Sequence, residues 1–270
     1  MIEPLVDLAM NLSPAIRRNM IRFWYQLLTR IDTQAVMVCM NYGYADLDPA
    51  AESLALDDTD MVDRYCIQLY HQVAGSVALN GQNVLEVGCG RGGGASYIKR
   101  CLRPRSLTGV DFSDRAIKFC ARYHGPTGIT FVPGDAEALP FDTNIFDVVV
   151  NIESSHCYNS MERFVGEVYR VLRPGGYFLY ADFREQDAIG SLRKQLTQAG
   201  FVVCAERSIT PNVVRALDLD NDRKLELIRR HAPRLIRSRL AEFAAIRGTE
   251  MYEWFRTGQL DYRKFVLQKP

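Results

Sequence analysis

The chain has 270 residues, 47% of them hydrophobic, enough for one large domain, or one domain with a cap, around a substantial core. Its 33 basic and 32 acidic residues nearly cancel, which excludes a general field for polyanions and argues against nucleic acid as a partner. Seven cysteines sit outside any CxxC or Cys/His ligand spacing and no His/Asp/Glu cluster calls for a metal, so they read as free thiols of a reducing cytosol.

The opening stretch Met1 to Leu8 carries acids where a signal peptide needs an apolar run, and no segment reaches membrane-spanning length, so a cytoplasmic protein is expected. Residues 1–80 are expected to form a helical lid over the ligand cleft. Ser13-Pro14 is a helix start, and the helix runs to Arg30 with Ile16, Met20, Phe23, Trp24, Leu27 and Leu28 as its apolar stripe. Asn41 to Asp60 reads as irregular and mobile, and Asp60 to Val77 returns to helix with Met61, Tyr65, Leu69 and Val73 on one face. His71 on that helix either faces the cleft or lies on the surface.

Residues 81–210 alternate strand and helix, the pattern of a parallel sheet with crossover helices. Val84, Leu85 and Val87 form a buried strand that breaks into a glycine-rich turn, followed by a helix from Ala95 to Leu102. Further strands are expected at Ser106–Asp111, Gly128–Pro133, Phe146–Asn151, Tyr177–Phe183 and Phe201–Ile209. Helices are expected at Asp114–Tyr123, Met161–Leu172 and Ile189–Ala199, the first capped by Ser113. Residues 211–258 read as a helical cap insertion and 259–270 as a final strand of the core sheet.

The glycine turn exposes backbone N–H groups at the carboxyl end of a strand, where open α/β sheets bind ligands. Gly88, Gly90 and Gly93 satisfy the dinucleotide pattern GxGxxG, and Asp111 lies roughly 20 residues on, so a nicotinamide oxidoreductase is one reading. Glu86 opposes it, because its charge stands where a pyrophosphate would approach and suits a cationic, amine-bearing ligand instead. Asp135 can accept from an adenine amino group, and Arg173-Pro-Gly-Gly176 is foreign to the dehydrogenase pattern.

Glu86-x-Gly-x-Gly-x-Gly92, Gly109-Val-Asp-Phe-Ser113, Gly134-Asp-Ala-Glu-Ala-Leu-Pro-Phe141, Phe146-Asp-Val-Val and Leu172-Arg-Pro-Gly-Gly176 together resemble the class I S-adenosylmethionine-dependent methyltransferases of the ubiquinone/menaquinone type. Asn41-Tyr-Gly-Tyr44, Glu153-Ser-Ser-His-Cys-Tyr158 and Leu260-Asp-Tyr-Arg263, with Trp24-Tyr25 and Leu69-Tyr-His71, are similar to the phthiotriolone/phenolphthiotriolone dimycocerosate methyltransferases, which O-methylate a lipid hydroxyl. The resemblance implies an α/β fold: a Rossmann-like seven-stranded methyltransferase sheet with helices on both faces and a helical cap. It implies S-adenosyl-L-methionine as cofactor. Gly88, Gly90 and Gly92 would lie against its methionine and ribose parts, Glu86 near its amino group, Asp111 on the ribose hydroxyls and Phe112 on the adenine. Asp135 and the Ala136 N–H would read the adenine edge, and Asn151 and Glu153 would finish the pocket near the methionine. The run Gly92-Gly-Gly94 is richer in glycine than the common pattern and would leave more room there.

Methylating a hydroxyl needs a proton acceptor beside the methyl. His156, just past the fourth strand, is the best-placed histidine, among the polar residues Ser154, Ser155, Cys157 and Tyr158. Asp182 ends the neighbouring strand, and in similar sugar O-methyltransferases a histidine and an aspartate at these positions act as the base pair. The expected reaction is O-methylation of a small or lipid-like, polyketide-type secondary metabolite. Its rivals are C-methylation of a quinone or terpenoid and the nicotinamide oxidoreductase. The aromatic residues Trp24, Tyr25, Tyr42, Tyr44, Trp254 and Phe255 suggest either an apolar chamber or ordinary core. The basic run Arg229 to Arg239 reads first as a solvated helix face, with peripheral contact at an anionic membrane as the sharper alternative. A homo-oligomer and a lid acting on a neighbour's site both remain open.

Overall fold

The structure is a computed structural model that describes residues 38–48, 50 and 54–270. The expected helix from Ser13 to Arg30, with Trp24 and Tyr25, lies outside the described residues. Apolar runs form strands β1 (Asn83–Val87), β2 (Ser106–Asp111), β3 (Thr130–Pro133), β4 (Phe146–Ile152), β5 (Leu172–Glu185), β6 (Val202–Ser208) and β7 (Leu260–Gln268). They make one seven-stranded sheet of order β3-β2-β1-β4-β5-β7-β6, parallel except for β7, which runs antiparallel to β5 and β6. The chain leaves β1 towards β2 and β3, then returns to place β4 on the other side of β1. That reversal opens a crevice at the carboxyl ends of β1 and β4.

Side-chain alternation sorts the strands into two apolar layers. Val84, Val148, Val150 and Leu179 face one layer; Leu85, Val149, Phe178 and Tyr180 face the other. Helices α1 (Asp58–Met61) and α2 (Arg64–Ala74) precede the sheet, and α2 sends Leu69 and Val73, both 0% exposed, into the first layer. Burial of each contributes roughly 1.5–3 kcal/mol, so α2 is part of the sheet's own core. Helices α3 (Gly93–Tyr97) and α4 (Asp114–Tyr123) follow β1 and β2. Helices α5 (Met161–Val171) and α6 (Ile189–Gln198) cover the second layer with Phe164, Val168, Leu192 and Leu196.

Several expectations need correction. The helix after the glycine loop starts at Gly93 and passes at Ile98 into a π-helical turn, Ile98–Leu102. The third strand starts at Thr130, because Gly128 sits in a left-handed turn at φ 71°. The cap is three helices, α7 (Thr210–His231), α8 (Arg237–Phe243) and α9 (Glu250–Thr257). Pro233, which cannot continue a helix, lies just past the end of α7. Asn41 to Ala45, expected to be mobile, is buried. Its backbone is pinned by Tyr44 N to Tyr65 O at 2.9 Å and Ala45 N to Asn212 O at 3.1 Å. Among the described residues no helix is long and apolar enough to cross a membrane.

Candidate active site

The glycine turn, the ends of β2, β3 and β4, and residues Val38 to Met40 enclose one cavity at the switch-point crevice. Gly88 sits at φ 75°, and a Cβ there would lie 2.3 Å from the Ser154 hydroxyl, so only glycine lets the turn pass the end of β4. Asp111 organises the next wall. Its Oδ2 accepts from Gly90 N and its Oδ1 from Ser113 N, each at 2.9 Å. Burial pushes its pKa up, while those two N–H groups pull it back. Phe112 is 56% exposed at the rim. Asp135 accepts from Glu137 N through Oδ1 at 2.9 Å and lines the cavity with the buried Ala136.

Glu86 stands just behind this wall, 1% exposed. Its Oε1 accepts from the Tyr70 hydroxyl at 2.7 Å, and its Oε2 is buried with no partner among the described residues. Burial pushes its pKa up to about 8, against the Tyr70 bond that pulls it down. Tyr70 also explains the glycine run. A Cβ on Gly94 would fall 1.9 Å from the Tyr70 ring, so the room left by the missing side chain is filled by that ring. Gly93 and Gly94 line the cavity, whereas Gly92, expected there, faces His124 and Phe131 instead.

At the end of β4, Asn151 is fully buried behind the cavity. Its Nδ2 lies 2.9 Å from Val87 O, 2.7 Å from Ser154 Oγ and 3.1 Å from the Tyr158 hydroxyl, and its Oδ1 has no partner among the described residues. It thus positions Ser154 and Tyr158, which do line the cavity. Glu153 lines it too, with a left-handed backbone at φ 49° that costs on the order of 1–3 kcal/mol in a residue other than glycine. Its Oε2 accepts from Tyr42 N at 2.8 Å and the Tyr262 hydroxyl at 3.0 Å. Burial raises its pKa to about 7.

Beyond Glu153 a short 3-10 turn, Ser155–Cys157, brings His156 against Asp182 on β5. His156 Nδ1 and Asp182 Oδ1 are 2.9 Å apart. Asp182 is 0% exposed and is held by further donors: Ser155 Oγ at 2.6 Å, His156 N at 3.0 Å and its neighbour Phe183 N at 2.9 Å. Arg184 reaches its Oδ2 at 3.3 Å and gives a second N–H to Ser155 Oγ at 2.8 Å. Burial by itself would raise Asp182, but His156 and Arg184 beside it hold the carboxyl well below the usual range. Burial likewise opposes the charged imidazole, and the Cys157 and Asp182 side chains override it to hold His156 well above the usual histidine range. The His156 ring packs on Phe183 with centroids 4.5 Å apart. His156 and Asp182 do not line the cavity, whereas Cys157, next to His156 in the chain, does.

Tyr70, Arg184 and Tyr262 are functional neighbours that sequence reasoning missed as site residues, whereas Ser155 was named beside His156. Arg184, two residues past Asp182 on the same face of a strand, is the one whose spacing could have given it away. His71 lies away from the cavity, its Nδ1 2.8 Å from the Tyr97 hydroxyl. Tyr42, Tyr44 and Phe255 are buried core, and Trp254 packs against that core. Among the described residues no group of His, Cys, Asp and Glu could hold a metal.

Residues 85–180 match the family described as methyltransferase domain. Over 248 residues the chain is 42% identical to the phthiotriol/phenolphthiotriol dimycocerosates methyltransferase of Mycobacterium tuberculosis, covering 92% of this chain and 91% of that one. The chain belongs to this methyltransferase family. A fatty-acid O-methyltransferase of Mycolicibacterium smegmatis is 38% identical over 270 residues, covering 100% of the methyltransferase described here and 97% of the relative. The fold is shared with the cyclopropane synthase MmaA2 from Mycobacterium tuberculosis at a TM-score of 0.70 and 16% identity, covering 89% and 95% of the two chains. Membership implies S-adenosylmethionine as the methyl donor and sets aside the nicotinamide reading of the glycine loop. Behind the cavity wall, the buried acceptors Glu86 Oε2 and Asn151 Oδ1 have no partner among the described residues, which fits an amine-bearing ligand.

Proposed function

We propose that this methyltransferase O-methylates a hydroxyl on a lipid-like or polyketide-type acceptor, with the His156–Asp182 pair taking the proton. The observation that carries the reading is the 2.9 Å contact between His156 Nδ1 and Asp182 Oδ1 at the carboxyl ends of β4 and β5. The names of the two relatives, both methyltransferases of lipids and one an O-methyltransferase, support a lipid acceptor methylated on oxygen.

S-adenosylmethionine, when bound, supplies an electrophilic methyl and a neutral leaving group. Glu86, through Oε2, receives its ammonium directly or through water, and Gly88 and Gly90 let the backbone approach. Asp111 holds the ribose hydroxyls, Phe112 covers the adenine, and Asp135 with Ala136 N reads the adenine edge. Asn151 and Glu153 shape the methionine end, Glu153 by tying Tyr42 and Tyr262 to it. Asp182 orients His156 through Nδ1, which leaves Nε2 to accept the hydroxyl proton as the oxygen attacks. Because His156 is held above the usual range, it must first lose a proton to serve as base.

The test is turnover of methyl-labelled cofactor on hydroxylated polyketide lipids and on quinones, with the methyl position read by NMR. A new methyl ether supports the reading, and a methyl on carbon ends it. The lid role of residues 1–80, a cytoplasmic site of action and a homo-oligomer belong to the same proposal and are read by truncation, fractionation and sedimentation.

A further inference from the structure

The corner between α7 and α8 combines charge with an apolar tip. Between Leu227 and Ala241 the chain has no acid and five arginines, Arg229, Arg230, Arg234, Arg237 and Arg239. They do not behave alike. Arg237 is used structurally, closing the end of α7 with bonds to Ala232 O at 3.0 Å and Arg229 O at 2.6 Å. Arg229, Arg230 and Arg234 are exposed. Among the described residues Arg230 pairs with Glu226 alone, at 3.7 Å with both side chains open to water, a pair of little worth.

The apolar residues of the corner also divide. Ala232, Leu240, Ile228, Ile236 and Phe243 pack together as a small separate core. Leu235 does not join them and is 85% exposed, at the apex of the turn with Arg234 beside it. A single exposed leucine is ordinary. One at the tip of a corner, flanked by exposed guanidiniums from a helix end and a turn, matches the chemistry of an anionic lipid interface. There the leucine enters the acyl boundary and the arginines meet headgroup phosphates.

The position suits the same reading. From this corner α8 spans seven residues, about 10 Å, and ends at Phe243, whose carbonyl accepts from the Tyr42 hydroxyl at 3.2 Å. Tyr42 packs on Phe183 at 5.6 Å, and Phe183 packs on His156. The corner therefore stands one short helix from the reactive end of the sheet, where a lipid-like acceptor would enter.

We infer that the exposed face of the α7–α8 corner, formed by Arg229, Arg230, Arg234 and Leu235, docks the enzyme on anionic phospholipid membranes. This goes beyond the proposed acceptor and stands whether or not the hydroxyl reading holds.

The experiment is flotation of the full chain with vesicles of phosphatidylcholine alone and of phosphatidylcholine with an equal share of phosphatidylglycerol. The expected result is partition to the anionic vesicles only, weakening as salt is raised. The combined variant Arg229→Gln, Arg230→Gln, Arg234→Gln should lose affinity on the order of 100-fold, and Leu235→Ser on the order of 10-fold. Melting temperature and S-adenosylhomocysteine affinity should stay at wild-type values. Equal binding to both vesicles, variants that bind like wild type, or capture by heparin without vesicle binding would each overturn the inference. Should the triple variant fail to fold, Leu235→Ser and the salt series on the wild type decide alone.

Discussion

The Tyr70 hydroxyl meets Glu86 Oε1 at 2.7 Å while the Tyr70 ring fills the space that Gly94 leaves open. One side chain thus joins helix α2 to the acidic and glycine halves of the proposed cofactor cradle. Substitution of Gly94 by alanine should drive its Cβ into that ring, lowering stability by about 1–3 kcal/mol and S-adenosylhomocysteine affinity at least tenfold, roughly the same energy. Thermal unfolding and calorimetric titration check both. Unchanged affinity would show that Tyr70 yields without disturbing Glu86.

The apoprotein should lose stability as pH rises because of Glu86. Its folded value of about 8 lies above its ordinary value of 4.5, so the folded chain keeps a proton that the unfolded chain has released. That contribution is complete below about 4.5 and gone once pH has risen through about 8. Glu153, at about 7, acts in the same direction. Glu86→Gln should flatten the slope of melting temperature against pH, and saturating S-adenosylhomocysteine should flatten it in the wild type, since its ammonium offers the carboxylate a partner. A wild-type slope that neither change alters would contradict the assignment.

The pH profile of turnover should report His156. An imidazole held above its usual range is protonated near neutrality and cannot accept a proton, so kcat on a hydroxyl acceptor should climb on the alkaline side. An acceptor that is itself a carboxylate needs no base and would favour the imidazolium, giving the opposite slope. Steady-state rates across pH separate the two.

Arg184 should tune this profile. Its guanidinium reaches Asp182 at 3.3 Å and Ser155 at 2.8 Å, and so opposes a second positive charge on His156. Arg184→Gln should move the ascending limb further alkaline, with cofactor affinity unchanged. A limb that stays in place, with a uniform fall in rate, would assign Arg184 a packing role only.

The strand positions and the glycine turn with its flanking acids were legible because they rest on local signals: an apolar run, a glycine turn, an acid at a strand end. Glu86, Asp111 and Asp135 were each visible as acids at strand ends. What surrounds them was not. Tyr70 and Gly94 meet across 24 residues, and the hydroxyl that holds Glu86 belongs to a helix whose periodicity marked Met61, Tyr65, Leu69 and Val73 as one face, of which the structure buries Leu69 and Val73 and exposes Met61. Asn41 to Ala45 looked like a polar, glycine-containing loop, yet Glu153, Tyr65 and Asn212 bind its backbone from distant elements. Residues 211–258 read as one helical cap, although Pro233 marks the corner that exposes Leu235.

The central claim is tested most directly by His156→Ala and Asp182→Ala, assayed on a hydroxylated lipid with S-adenosylhomocysteine affinity measured in parallel. Loss of the positioned base should lower kcat by roughly 10²–10⁴-fold in each variant, with cofactor binding intact. Turnover at the wild-type rate in both, with the cofactor still bound, would contradict the account.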